Sequence, residues 1–224
     1  MSATLPPTSR LVSLGLCWAI ALVAQPSSPP LDPAPLYVES SIVNAASPKT
    51  GSLAPNTLAT IFGQFLSRST RAVSADDIRS GVLPTVLPGT GVRVLVGGLP
   101  APLLYVSPNQ INFVVPANLL AGATDIRVGI DSRFGPSVRV HLVDAAPALF
   151  PLNPEFVLAV HAVDGTLLSP TNPARNGEIV TIYATGLGAV NPPAASGQIV
   201  LQAAGLVRRR EFRVLIGGWE LPDE

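Results

Sequence analysis

The sequence predicts an all-β protein built as two tandem immunoglobulin-like β-sandwich modules, the second one incomplete. Three observations carry this. Apolar β-branched residues recur in short runs broken by turn-forming residues, with 24 Pro and 19 Gly in 224 residues, the pattern of many short strands joined by tight turns. No stretch of the mature region has a convincing 3.6-residue period. Most telling, the chain repeats itself. Arg93-Val94-Leu95-Val96-Gly97-Gly98 returns as Arg213-Val214-Leu215-Ile216-Gly217-Gly218, an offset of 120. Ala59-Thr60-Ile61-Phe62-Gly63 returns as Val180-Thr181-Ile182-Tyr183-Ala184, an offset of 121. A period of that length exceeds solenoid repeats of ~20–50 residues and matches a whole domain.

The amino terminus is a different kind of sequence. Arg10 precedes an apolar run from Leu11 to Ala24, and Gln25-Pro26-Ser27-Ser28-Pro29-Pro30 follows. This order of positive, apolar and small residues predicts a signal peptide over residues 1–24, cleaved near Ala24, and hence a secreted or cell-surface protein. The run is short for a span of ~20 residues, so no membrane span is expected in the mature chain. Cys17 lies inside the run and follows Leu16, where a lipoprotein signal wants a small residue. Its removal leaves no cysteine and no disulfide, so the exported modules must rely on their cores. Pro26, Pro29, Pro30, Pro33 and Pro35 make residues 25–36 a semi-rigid linker.

The first module, residues 37–150, opens with a strand over Leu58 to Phe62. Val92, Val94 and Val96 then share one face of a second strand, and Gly97-Gly98 supplies a tight hairpin turn. Leu103 to Val106 is read as the returning strand, with Pro100 and Pro102 confining it to an edge or a strand start. Ser107-Pro108-Asn109-Gln110 is a turn. Ile111, Phe113 and Val115 alternate toward one face, Ile126, Val128 and Ile130 mark a further strand, and Val138 to Val143 the last. The one short helical turn falls at Asp76 to Ser80. The second module, residues 151–224, repeats strands at Ile179–Tyr183 and Phe212–Ile216. By the offset, Glu224 corresponds to Leu104, so the equivalents of Tyr105 through Val143 are expected to be missing. The strand Phe212–Ile216 should then lose its hairpin partner and present an open edge for strand addition.

These residues resemble a known class. Val94-x-Val96-Gly97-Gly98-x-x-Ala101, then Ser107, Ile111, Val115-Pro116, Gly122 and Val128, are similar to the IPT/TIG class of immunoglobulin-like domains. Val43-Asn44-Ala45-Ala46-Ser47, Leu53-Ala54-Pro55, Ile61-Phe62-Gly63 and the run from Ala101 to Phe113 resemble the tandem C-terminal module of exported acidobacterial proteins, the Solibacter-type C-terminal domain. Ser169-Pro170-Thr171-Asn172-Pro173-Ala174 and Tyr183-Ala184-Thr185-Gly186-Leu187-Gly188 fit the same family. The resemblance implies export and a pair of Ig-like sandwiches, and it transfers no catalytic residue.

Residue chemistry points away from catalysis. Lys+Arg 14 against Asp+Glu 14 gives zero formal charge, whereas nucleic-acid partners call for a basic surface. Arg208-Arg209-Arg210 reads as a solvated strand entry. His141 and His161 fall in separate modules without cysteine partners, so no zinc set converges. No Gly-x-Ser-x-Gly nucleophile elbow occurs. Gly186-Leu187-Gly188-Ala189-Val190-Asn191 starts like a dinucleotide loop, but Asn191 replaces the third glycine and no helix follows, which leaves a turn. Asp76, Asp77, Asp125, Asp131 and Asp144 sit at turns with no calcium-loop or glycosidase spacing. Tyr105, Asn109, Gln110 and Asn112 form the richest polar stretch; Asn109 and Gln110 are expected to close a turn and Asn112 to bond nearby backbone. No catalytic, cofactor or metal residue is therefore assigned. The expected function is non-enzymatic interaction with an unknown protein or polysaccharide at the cell surface; a carbohydrate-binding accessory or remnant of a secreted hydrolase, or a pure spacer, are the alternatives.

Overall fold

The computed structural model describes residues 33–47 and 51–221; the expected signal peptide and most of the expected linker lie outside them. Residues from Pro33 onward belong to one compact unit. The last linker residues are already part of it, since Pro35 is buried and Leu36 exchanges two backbone hydrogen bonds of 2.9 Å with Gln64.

Ten strands build the first module: β1 (Ile42–Asn44), β2 (Leu58–Phe62), β3 (Arg71–Ala72), β4 (Val92–Val96), β5 (Leu99–Pro100), β6 (Leu103–Val106), β7 (Gln110–Val114), β8 (Gly122–Ile130), β9 (Arg133–Phe134) and β10 (Val138–Leu142). They form two antiparallel sheets, β1-β2-β7-β6-β3 and β10-β8-β4-β5, with β9 pairing β8. The alternation read from the sequence is the reason. Val92, Val94 and Val96 are fully buried while Arg93 and Leu95 between them are not. Ile126 and Val128 on β8, and Ile61, Ile111 and Phe113 on the other sheet, are likewise fully buried, and all join one apolar cluster between the layers. This is the two-layer sandwich that half-apolar strands require. Of three short 3-10 turns among the described residues, Glu39–Ser41, Ala75–Asp77 and Arg209–Glu211, the second sits near the one helical turn expected. Among the described residues no helix is long and apolar enough to cross a membrane.

One connection differs from expectation. The strand returning from the Gly97-Gly98 turn is β5, which pairs Val96 with Leu99 and Leu95 with Pro100. The chain then changes sheets at Ala101-Pro102, and β6 pairs with β7 and β3 in the other layer. Pro100 is tolerated because β5 is a two-residue edge strand.

The second module takes in β11 (Ala148–Leu149), from just before the expected boundary at residue 151, and contributes β12 (Ala159–His161), β13 (Val180–Ile182), β14 (Ala184–Thr185), β15 (Val190–Asn191), β16 (Gly205–Leu206), β17 (Leu215–Ile216) and β18 (Trp219–Glu220). They pair as four separate two-stranded ladders, β11-β14, β12-β13, β15-β16 and β17-β18. Three of these ladders reproduce the repeat. β12 pairs β13 as β1 pairs β2, with Ala159↔Ile182 in place of Ile42↔Ile61. Ala148↔Thr185 takes the place of Leu36↔Gln64. β17 pairs β18 with Leu215↔Glu220 and Ile216↔Trp219, the register of β4 and β5 moved by the sequence offset. The expectation that Phe212–Ile216 has no hairpin partner is thus corrected. The return strand is the equivalent of Leu99–Pro100, not of Leu103–Val106, and Trp219–Glu220 supplies it. Both turns have Gly-Gly with positive φ, 58° and 79° at Gly97 and Gly98, 60° and 87° at Gly217 and Gly218, which a two-residue hairpin of matching twist demands.

Tyr37 shows what the first module holds that the second does not. Its hydroxyl accepts the Val128 amide at 2.7 Å and donates to the Pro136 carbonyl, locking the start of the module onto β8. Burial pushes its phenol above the ordinary value, so it stays neutral and able to donate. Through the Leu36/Ala148 equivalence its counterpart is Leu149, 48% exposed, and no β8 equivalent occurs among the described residues.

Two outcomes follow for stability. Phe113→Ala, which empties the centre of the core, should cost about 2–5 kcal/mol in denaturant unfolding; a cost under about 0.5 kcal/mol would contradict the assigned face. Tyr37→Phe should cost about 1–3 kcal/mol, because the buried Val128 amide loses its acceptor.

Candidate functional site

The sequence candidates fall into structural roles. Asp125 pairs with Arg139 at 3.1 Å, Asp131 with Arg68 at 2.7 Å, Asp144 with Arg208 at 2.6 Å and Asp77 with Arg71 at 2.7 Å. Arg208 also bonds Glu211 at 2.8 Å, so the basic cluster opens with a bridge back to the inter-module segment. Ser107 accepts the Gln110 amide at 3.0 Å and closes the expected turn. Asn112 differs from expectation: its carbonyl accepts the Thr60 hydroxyl at 3.0 Å and the Gln110 side-chain amide at 2.9 Å. These are neighbours across and along β2 and β7, which brings the side chains closer than any unpaired backbone.

The Gly186-Leu187-Gly188 loop is the joint between modules. A Cβ on Gly186 would stand 2.1 Å from the Ala146 carbonyl oxygen, and one on Gly188 2.4 Å from that of Asp144. The glycines let the loop press onto the connecting segment. Around it the modules exchange hydrogen bonds: the Leu58 amide to Thr185 Oγ1 at 2.8 Å, the Ala146 amide to the Gly186 carbonyl at 2.8 Å, the Leu83 amide to the Gly197 carbonyl at 2.9 Å and the Ile199 amide to the Gly81 carbonyl at 2.7 Å.

His141 stands exposed on β10. His161, by contrast, is only 7% exposed. It lines a concavity of about 390 Å³ with Asp164, Thr166, Asn172, Arg175 and Glu178. Its Nδ1 meets the Glu178 carboxylate and its Nε2 faces the Asn172 carbonyl at 3.4 Å. Both partners are acceptors, and only the imidazolium has two N–H groups to offer. The Glu178 contact accordingly raises the imidazole above its ordinary value against the opposing effect of burial. Glu178 is held below its ordinary value first by the Arg175 amide, which it accepts at 2.8 Å, and then by His161.

The repeat explains why this pair exists. In the register of β1-β2 and β12-β13, His161 occupies the place of Asn44, and Glu178 that of Thr57. Thr57 accepts the Ala54 amide through Oγ1 at 3.0 Å, as Glu178 accepts that of Arg175, and Asn44 accepts the Ala46 amide at 2.9 Å. The charged pair therefore ties the β12-β13 connection, whereas Asn44 and Thr57 hold the β1-β2 connection separately, each by accepting a different backbone amide. Both ring nitrogens are engaged, so neither is open to take a proton from a substrate. Sequence reading missed the pair because the connection is four residues longer in the second module, which moves His161 off the 120-residue offset.

A different feature of the second module faces solvent. Among the described residues, Ala159 is the only buried apolar residue beyond Leu142. Val214 and Ile216 are 52% and 56% exposed, whereas their counterparts Val94 and Val96 are fully buried; Trp219 is 81% exposed. No group of three or more His, Cys, Asp or Glu side chains able to hold a metal ion occurs among the described residues. No family model and no curated relative matches the chain.

The ion pair makes stability pH-dependent with a defined sign. A raised His161 stabilises below its ordinary value of 6.5 and loses this as pH rises through the raised value. A lowered Glu178 stabilises above its ordinary value of 4.5 and loses this as pH falls through the lowered value. The Tm deficit of Glu178→Gln relative to the parent should be largest between those two values and should shrink by pH 9. A deficit that is flat with pH would show that the two groups do not form an ion pair.

Proposed function

We propose that this is an exported, non-enzymatic tandem of Ig-like modules whose second half engages a partner outside the cell. The observation that carries the reading is the contrast between equivalent strands. Val94 and Val96 are sealed in a core, while Val214 and Ile216 stand in solvent beside Trp219. Monomeric proteins rarely leave contiguous apolar surface uncovered unless it binds something. The polar candidates support the same reading, since the carboxylates and the buried histidine are engaged in intramolecular contacts that hold loops and joints. The order of charge, apolar run and small residue over residues 1–24 supports export. A polysaccharide platform finds less support: the exposed aromatics Phe62, Phe65, Phe156, Tyr183 and Trp219 lie on different elements, whereas stacking on sugars needs several on one face.

The test is binding of the labelled, purified mature chain to intact cells of the source organism. Saturable binding is expected. It should weaken at least tenfold in the triple variant Val214→Ser, Ile216→Ser, Trp219→Ser, with the unfolding midpoint of the first module unchanged. Absence of saturable binding, or equal binding by the variant, overturns the reading.

A further inference from the structure

The first module contains a template for the partner. We infer that the free edge of β17 accepts an extended strand of another polypeptide, antiparallel to it and apolar at alternate positions, in the place that β8 takes along β4. This rests on the reading that the second module is an interaction surface, and specifies its chemistry.

The two hairpins are the same object. Beyond their shared register, the Ala101 amide donates to the Val94 carbonyl at 2.9 Å and the Leu221 amide to the Val214 carbonyl at 2.8 Å. What differs is the other edge. β4 lies between β5 and β8, paired with β8 from Val92↔Ile130 to Val96↔Ile126. β17 has β18 on one side and, among the described residues, no strand on the other.

Antiparallel geometry says which groups wait there. Backbone groups of successive residues point to opposite edges, and in β4 the Gly97 amide donates to the Asp125 carbonyl of the β8 side at 2.8 Å. Arg93, Leu95 and Gly97 thus face β8, so Arg213, Leu215 and Gly217 face the free edge. Val94 and Val96 turn their side chains into the core beside Ile126 and Val128. Val214 and Ile216 offer the same two positions. The occupant therefore needs apolar residues at i and i+2, as β8 supplies with Ile126, Val128 and Ile130, and tolerates a polar residue between them, as β8 does with Arg127.

A second copy of the chain is a poorer occupant. Its β8 is already paired on both sides, with β4 and β10. Its own β17 is a two-residue strand, against nine residues in β8, and so covers little of the stretch from Phe212 to Gly217. Strand addition from a longer extended segment covers all of it and satisfies the outward amides.

The probe is a synthetic peptide with the sequence of residues 122–130, added to the full mature chain verified as a monomer. Saturable binding is expected, with at least tenfold slower hydrogen exchange at Leu215 and Gly217 and no change at Leu95. A peptide carrying Ser at the positions of Ile126, Val128 and Ile130 should bind at least tenfold more weakly. N-methylation separates strand pairing from mere apolar adhesion while leaving the protein untouched. In β8 the amides of Arg127 and Gly129 face β4, whereas that of Val128 faces Tyr37. Methylating the first two should abolish binding, and methylating Val128 should preserve it. Equal behaviour of the two methylated peptides, no protection at Leu215, or self-association through β17 without peptide would each overturn the inference. A peptide that fails while cell binding still depends on Val214, Ile216 and Trp219 removes the strand-addition chemistry and leaves the interaction surface standing.

Discussion

Everything described in this chain depends on one dry core. Val92, Val94, Val96, Ile126 and Val128 of one sheet meet Ile61, Leu103, Ile111 and Phe113 of the other, all without solvent exposure. Apolar burial is the dominant favourable term in folding, at ~25 cal/mol per Å². The second module buries one apolar residue, Ala159, among its described positions, so it cannot be held by a core of its own. It is held by what the first module lends it: the Leu58 amide on Thr185, the Ala146 amide on Gly186, the Gly81-Ile199 and Leu83-Gly197 bonds. Each such bond is worth ~1 kcal/mol net. The first module is the foundation, and the second is attached to it.

The internal repeat works as a controlled comparison, because the backbone plan is shared and the residues are not. Where backbone groups must be satisfied, the bond is kept and the chemistry changes. Thr57 gives way to Glu178 at a loop closure, and Asn44 gives way to His161 beside it. The two neutral side chains need no counter-charge, whereas a carboxylate at 14% side-chain exposure does, and the imidazolium at 10% supplies it. Phe65, held at φ 56°, gives way to Gly186 at φ 77°, where the connecting segment leaves no room for a Cβ. Tyr37 gives way to Leu149, and among the described residues no β8 equivalent offers an amide there. Each replacement follows from what surrounds the position.

Much of the architecture was legible in the sequence. Alternation at Val92-Val94-Val96 and Ile111-Phe113 predicted faces correctly, because one side of each strand is sealed and the other is not. The 120-residue echo predicted the second strand and its Gly-Gly turn at Arg213–Gly218, but not the return strand Trp219–Glu220, because in the first module the return read as Leu103–Val106 instead of Leu99–Pro100. Two features were hidden. Leu99-Pro100 did not read as a strand, because proline argues against one and only the edge position, a tertiary fact, removes the objection. The His161-Glu178 pair spans 17 residues of irregular chain with no motif joining them. Only the ladder registers, which align His161 with Asn44 despite the longer loop, expose it. The Gly186-Leu187-Gly188 turn was legible as a turn, but not as the joint, since the approach of Ala146 is set by how the modules pack.

The open hairpin of the second module has to reconcile two demands. An unpaired strand edge is a template for uncontrolled association, yet an edge that is to receive a strand must keep its amides free. Shortness resolves part of this: β17 and β18 are two residues each, too short to nucleate a ladder with an equally short copy. Charge resolves another part, since Arg213 and Glu220 pair across the hairpin at 3.5 Å and place a hydrated ion pair on the face opposite Val214 and Ile216. Neither device blocks a long incoming strand, which brings its own backbone groups and covers Val214 and Ile216 with its own apolar face. The same edge is thereby discouraging to its copies and open to a partner built like β8.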